Sequence, residues 1–198
     1  MPNTCEIEFK FKGDHIDFDD FVRFFTNQET THRIDRFSGY DDYFRNSSNV
    51  VIRHRWNSEK NISELAIKLR KSSTSITNRV EQEISLDRHL TSPDALKDFL
   101  DLMDFKQNLS LYKDATIAWL NYGDKEFTVS LYTVKDVNSK KKKTFFEVEI
   151  EKGHNLSELE AEILLKEFTS TIKSHFKLTR PLGLSLYEIF SGTKYNLI

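Results

Sequence analysis

Charged and apolar residues alternate strictly in several segments of the chain, and a period of two marks strands whose two faces differ in character. Residues 6–12 interleave acids and bases with Ile7, Phe9 and Phe11, and residues 50–56 set Arg53 and Arg55 between less polar neighbours. Residues 63–70 and 79–86 continue the pattern on either side of the Ser/Thr-rich stretch 72–78, which reads as a hairpin connection. Further strands are predicted at 108–112, at 116–122 before the turn at Gly123-Asp124, at 126–135 and at 144–152. The count comes to about eight, arranged as a β-meander.

Elsewhere the apolar positions recur every three or four residues. Phe18, Phe21, Val22 and Phe25 share one face of a helix over 17–25, and Ser92-Pro93-Asp94 is a start signal for a helix over 95–103. In a third helix Ser157 caps, Glu160 completes a capping box, and Leu159, Ile163, Leu164, Phe168 and Ile172 form a stripe running to Phe176. Residues 186–190, beyond Pro181 and Gly183, fit a last short helix or strand. No linker or internal repeat divides the sequence, so residues 1–198 read as a single domain of α+β class.

Strand parity then places the charges. Glu6, Glu8 and Lys10 share a face, as do Arg53 and Arg55, Lys68 and Arg70, Arg79, Glu81 and Glu83, and Glu147, Glu149 and Glu151. In an open sheet this would be a wet face laced with cross-strand ion pairs. In a closed barrel it is the lumen. Ile7, Phe9, Ile52, Ile67, Leu69, Val80, Ile84, Val148 and Ile150 then point outwards and need covering by helices. Acids gather on the first, fourth and last of these strands and bases on the second and third, a segregation that suits a ligand carrying both signs. Carboxylates would hold Mg²⁺ or Mn²⁺ through oxygen, and guanidinium and ammonium groups would neutralise phosphate. A metal–polyphosphate complex satisfies both halves.

These segments resemble, in order, the motifs of the CYTH domains, the triphosphate tunnel metalloenzymes that include class IV adenylate cyclases, thiamine triphosphatases and inorganic triphosphatases. Glu6-Ile7-Glu8-Phe9-Lys10 resembles the opening ExExK signature, Asp41-Asp42-Tyr43-Phe44 the D-x-Y-[FY] segment, and Arg53-His54-Arg55 the R-x-R strand. Lys68 falls on the following lysine strand, Arg79-Val80-Glu81-Gln82-Glu83 is similar to R-x-E-x-E, and Phe145-Phe146-Glu147-Val148-Glu149 to F-x-E-x-E. Ser185-Leu186-Tyr187 resembles the C-terminal S-Y segment with one residue inserted. The resemblance implies a closed antiparallel eight-stranded barrel, the triphosphate tunnel, with helices packed outside. It implies that Glu6, Glu8, Glu147 and Glu149 bind metal, with Glu81 and Glu83 as further acidic tunnel residues, and that Lys10, Arg53, Arg55, Lys68, Arg79 and Lys113 contact phosphate. Glu6, Glu8, Lys10 and Glu149 would carry the catalytic chemistry. Two positions depart from the pattern: Ala115 stands where a K-x-R strand has its arginine, and Tyr132 where L-D-x-V has its aspartate. With that acid gone, three outcomes are open: a weakened second-metal site, an acid supplied by Asp136 or Glu151, or low activity.

Composition narrows the remaining field. A charge of −2 with 30% charged residues is balanced, which argues against a general DNA-coating protein. The lone cysteine, Cys5, cannot form an internal disulfide and reads as a buried thiol, the N-terminus lacks a secretory pattern, and no apolar run is long enough to cross a bilayer, so a cytoplasmic setting without membrane contact is expected. Six histidines show no i, i+4 pair, and six glycines form no phosphate-binding loop, so phosphate has to be held by side chains. His54 is expected to pack outside the barrel. The lysine run 140–143 reads as a solvated hairpin tip that could also steer RNA. The expected activity is metal-dependent hydrolysis of a triphosphate such as tripolyphosphate, ATP or another nucleotide. Cyclisation of ATP, removal of phosphate from an RNA 5′ end, and binding without turnover remain alternatives, as do monomer and homodimer.

Overall fold

A computed structural model describes residues 4–57, 59, 62–70, 77–86, 92–150 and 156–193, with the backbone alone for residues 4–6, 68–70, 77–82 and 158. Its elements run β1 (Thr4–Lys12), α1 (Phe18–Thr26), β2 (Thr31–Arg45), β3 (Val51–Asn57), β4 (Ile62–Arg70), β5 (Thr77–Ser85), α2 (Pro93–Leu102), β6 (Lys106–Tyr122), β7 (Lys125–Asp136), β8 (Lys142–Ile150), α3 (Glu158–Phe176) and α4 (Leu186–Ser191). Every strand pairs antiparallel with two others in the order β1-β5-β4-β3-β2-β6-β7-β8, and β8 pairs back onto β1, which closes the barrel.

The registers keep one face inward all the way round, because directly paired residues of antiparallel strands lie on the same side of the sheet. Glu8 faces Glu149 and Lys10 faces Glu147; Asp41 faces Arg55; Ala115 faces Tyr132, and Ser130 faces Glu147. The charged positions of the alternating strands thus share the lumen, and their apolar partners point outwards. Two helical layers cover that outer face. Helices α1 and α3 bury Ile7, Phe9, Phe11, Val129, Leu131, Phe146 and Val148 beneath Phe21, Phe25, Leu165, Phe168 and Phe176. On the other side α2 sets Leu96 and Leu100 on Phe44 and Ile52.

Helix ends follow the local chemistry. Asp17 and Ser92 cap α1 and α2, and Ser157 with Glu160 closes a capping box on α3. Lys177 takes a left-handed conformation, φ 49°, to end α3. A second capping box, Ser185 with Glu188, starts α4, and Gly192 at φ 71° ends it. This short helix inserts Leu186, Tyr187 and Phe190 among lumen-facing Tyr43, Val51, Leu109, Leu111, Tyr132, Val134 and Phe145. One end of the lumen is therefore filled by apolar side chains, tied in by Asn108 Nδ2 donating to Tyr187 Oη at 2.7 Å.

Three expectations change. Segments 108–112 and 116–122 are one strand, β6, because the ladder with β2 and β7 runs unbroken through Lys113-Asp114-Ala115 even though the apolar alternation lapses there. The 15-residue β2 was not legible as a strand: its outer side carries Arg36 and its lumen side Arg33 and Asp35, so neither face reads as apolar. The tail segment is a helix, and it plugs the barrel rather than packing on its flank. Among the described residues no helix is long and apolar enough to cross a membrane.

The outer core yields a stability prediction. Phe21 is fully buried and touches the rings of Phe25, Phe146 and Phe176. Phe21→Ala opens a cavity between α1 and the barrel and costs about 3–5 kcal/mol of unfolding free energy, read from urea titration.

Candidate active site in the barrel lumen

Adjacent strands β1 and β8 build an acidic wall. Glu8, Glu147 and Glu149 each bring a carboxylate oxygen within 4.8 Å of the others. Lys10 Nζ lies 2.8 Å from Glu8 Oε1 and 3.2 Å from Glu147 Oε2, and the Tyr132 hydroxyl donates to that same Glu147 oxygen at 2.7 Å. Burial raises the Tyr132 pKa, and the charges of Glu147 and Glu8 raise it further, so the phenol stays protonated and serves as a donor. An all-oxygen set of three carboxylates fits a hard divalent cation such as Mg²⁺ or Mn²⁺ and suits softer metals poorly.

Strand β3 carries the basic wall. It stands three strands from β1 in one direction and four from β8 in the other, on the far side of the ring. Arg55 is fixed by a two-pronged contact to Asp41, Nε to Oδ1 at 2.8 Å and Nη2 to Oδ2 at 3.1 Å. Burial alone would raise the Asp41 pKa, but the charges of Arg55 and Arg53 overcome it and hold the carboxyl well below the usual range. Arg55 is pushed the other way: Asp41 outweighs the desolvation and raises its pKa. Arg53 Nη2 donates to Glu83 at 2.8 Å. Between the two walls, the Lys113 ammonium sits 3.9 Å above the Tyr132 ring. Burial, helped by the nearby Arg55 charge, lowers its pKa to about 8, although Glu147 and Asp41 pull in the opposite direction.

The structure thus brings Glu8, Lys10, Glu147, Glu149, Arg53, Arg55 and Lys113 into one lumen. Glu83 reaches Arg53 and is not among the three clustered acids. Glu6, Lys68, Arg79 and Glu81 occupy inward positions by register, Glu6 opposite Arg79 and Lys68 opposite Glu81, and their side chains lie outside the described residues, as does the Cys5 thiol. Glu151 lies wholly outside them. Asp136 binds the backbone of Asn138 and Ser139 in the β7–β8 turn and takes no part in the cluster. His54 points away from the lumen, buried against Ser63 Oγ at 3.0 Å, and burial lowers its pKa. Lysines 140–142 are exposed at the β7–β8 hairpin.

Two lumen residues went unrecognised as parts of the site in the sequence. Asp41 was visible only as a motif letter, and its pairing with Arg55 needs the β2–β3 register. Tyr132 counted as a lost carboxylate, whereas it is a hydrogen-bond donor to one. Removing half of the Asp41–Arg55 pair strands a charge in a site where Asp41 is 1% exposed. Asp41→Ala therefore lowers stability by about 3 kcal/mol, measured by denaturant unfolding at pH 7.

No family model and no curated protein matches the sequence. Solved structures do. A conserved hypothetical protein from Pyrococcus furiosus superposes with a TM-score of 0.67 at 18% identity, covering 93% of this chain and 99% of that one. A Bacillus halodurans protein provisionally named an adenylate cyclase gives 0.52 at 16% identity, with 93% and 96% covered. The RNA triphosphatase domain of a mimivirus capping enzyme gives 0.51 at 14% identity, with 87% and 89% covered. At these identities the likeness is one of architecture, and it extends over nearly the whole length of each chain. The chain has the triphosphate tunnel fold, the fold that its ordered strand motifs resemble.

Proposed function

We propose that the lumen binds a triphosphate together with Mg²⁺ or Mn²⁺ and hydrolyses it. The observation that supports this reading is the facing of Glu8, Glu147 and Glu149 on β1 and β8 by Arg53 and Arg55 on β3, inside one barrel filled at one end. The mimivirus and Bacillus neighbours carry names from triphosphate chemistry and lend the same direction.

Arg53, Arg55 and Lys113 take phosphate oxygens, and Asp41 holds the Arg55 fork in place so that little reorganisation is needed on binding. Glu8, Glu147 and Glu149 would hold the cation, which supplies Lewis acidity toward the phosphoryl oxygens and acidifies a bound water. Lys10 and Tyr132 fix the position of Glu147, and Lys10 adds positive charge next to the reacting phosphoryl group. A carboxylate of the acidic wall accepts the proton as water attacks in line, and the guanidinium groups stabilise the charge that builds on the leaving phosphate. The chemistry requires no covalent nucleophile.

Phosphate release from ATP and from tripolyphosphate, followed with each metal, tests the reading. Glu147→Gln is expected to lower kcat on the order of 100-fold, and Arg53→Ala to raise KM more than it lowers kcat. Cyclic AMP as the product from ATP would move the assignment to cyclisation, and tight triphosphate binding with no turnover would move it to a binding module. Absence of any triphosphate binding in calorimetry would end it.

Lys113 adds a pH signature. With its pKa near 8 in the free protein, the ammonium that meets phosphate is lost as pH rises, and binding must then take up a proton. Tripolyphosphate affinity accordingly falls between pH 7 and pH 9, by up to about tenfold per unit above the pKa. Lys113→Arg, charged throughout, flattens the slope.

A further inference from the structure

The lumen changes character toward its open end. On β6 the inward positions read Lys113, Ala115, Ile117, Trp119, and on β2, paired with them, Gly39, Phe37, Asp35, Arg33. Pairing of β2 with β3 stops at Tyr40 and Asn57 ends β3, so this stretch of β2 and β6 stands beyond the basic wall as a lip at the mouth. Trp119 lies half-buried on it, with the Arg33 guanidinium 3.7 Å above the indole ring. Asp35 steadies that guanidinium at 3.3 Å, and both side chains are 54% exposed. Phe37 spans the step between this pair and the phosphate-facing wall, its ring 5.6 Å from the Arg55 guanidinium.

A bare polyphosphate chain has no use for this lip. It offers oxygen atoms only, and an indole capped by a guanidinium gives those atoms a single cation where the deeper wall already gives several. A flat heteroaromatic group finds in the same lip two stacking surfaces, the indole and the guanidinium plane, with the Asp35 carboxylate at the edge as an acceptor for ring amino groups. Trp119 is six residues from Lys113 along β6, roughly 20 Å at about 3.3 Å per residue, which leaves room for a phosphate chain and its linker between them.

We infer that Trp119 and Arg33 form a stacking platform for the base of a nucleoside triphosphate, and that the substrate class is therefore an organic triphosphate carrying an aromatic heterocycle rather than free tripolyphosphate. This rests on the lumen being the phosphate site. Trp119 confers preference for the base, and the walls beyond Phe37 hold the phosphates.

The test is equilibrium binding of ATP and of tripolyphosphate by calorimetry in EDTA, which prevents metal-dependent turnover, to the wild-type chain, Trp119→Ala, Trp119→Phe and Arg33→Ala. The ATP-to-tripolyphosphate affinity ratio is expected to fall about tenfold in Trp119→Ala and to survive largely in Trp119→Phe, which keeps a ring. Of the two tryptophans, only Trp119 faces the lumen, so ATP should quench indole fluorescence in Trp56→Phe and fail to do so in Trp119→Phe. If tripolyphosphate binds but the ratio is the same in all four proteins, or the quenching disappears with Trp56, the platform is wrong and the lumen reading stands. If the wild-type chain binds neither ligand, in EDTA or with Mg²⁺ added, the lumen reading fails and takes the platform with it.

Discussion

A carboxylate or a guanidinium removed from bulk water has to be met by an opposite charge or by hydrogen bonds, and in this protein closing the sheet imposes that requirement on every strand at once. Alternation gives each strand one charged and one apolar face, and the ring allows only one face inward. Helices α1, α2 and α3 supply an apolar cover on the outside, with Phe21, Leu100 and Phe168 buried against the strands, so the charged face is the one enclosed. The lumen groups then answer one another: Lys10 with Glu8 and Glu147, Arg55 with Asp41, Arg53 with Glu83. The walls are preorganised because each member is held by another before any ligand arrives.

The two departures from the tunnel motifs fit this scheme as one substitution. Ala115 and Tyr132 are register partners across β6 and β7. A small residue on one strand makes room for the large ring on the other, and the ring fills space between the apolar plug and the acidic wall. Its hydroxyl donates to Glu147, and its face carries the Lys113 ammonium. A position where the motif has a carboxylate therefore holds the neighbouring carboxylate, and the lysine that would have paired with an acid rests on a quadrupole instead. Relative to the motifs, one positive and one negative group are missing together from the paired strands β6 and β7, and the sum of charge in the lumen is kept.

How much of this the sequence disclosed depends on how many faces a segment has to satisfy. Strands β1, β3, β4, β5 and β8 separate charge from apolar residues cleanly, and their positions and inward residues were legible from a period of two. Strand β2 lines the lumen on one side and meets solvent on the other at its start, so both faces are polar and the period vanishes. Strand β6 loses the signal at Asp114, which is exposed, while its backbone ladder continues regardless. For the site, parity found Glu8, Lys10, Arg53, Arg55, Glu147 and Glu149. It could not find Asp41, whose importance lies in facing Arg55, nor the plug, because a short amphipathic helix does not reveal which surface it will enter.

The asymmetry of the two ends bears on which bond breaks. Leu186, Tyr187 and Phe190 fill one end, so a ligand has to come through the mouth that carries Trp119 and Arg33. On the proposed binding mode phosphate would lead, drawn by Arg55 and Arg53, and the organic end would trail at the lip. In that orientation the terminal phosphoryl group lies deepest, next to Glu147, whose neighbour two positions along the inward face is Phe145, against which the plug packs. The phosphoryl group attached to the organic part stays nearer the mouth. The acidic wall runs along this path: Glu149 shares a ladder row with Trp119 through Thr128, and Glu147 lies one inward position nearer the plug. Cyclisation demands chemistry at that outer phosphorus, whereas hydrolysis of the terminal phosphate demands it at the inner one. On the proposed orientation Glu147, the innermost of the three acids, is the one placed for terminal phosphate release, and the plug would set how far in the chain can travel.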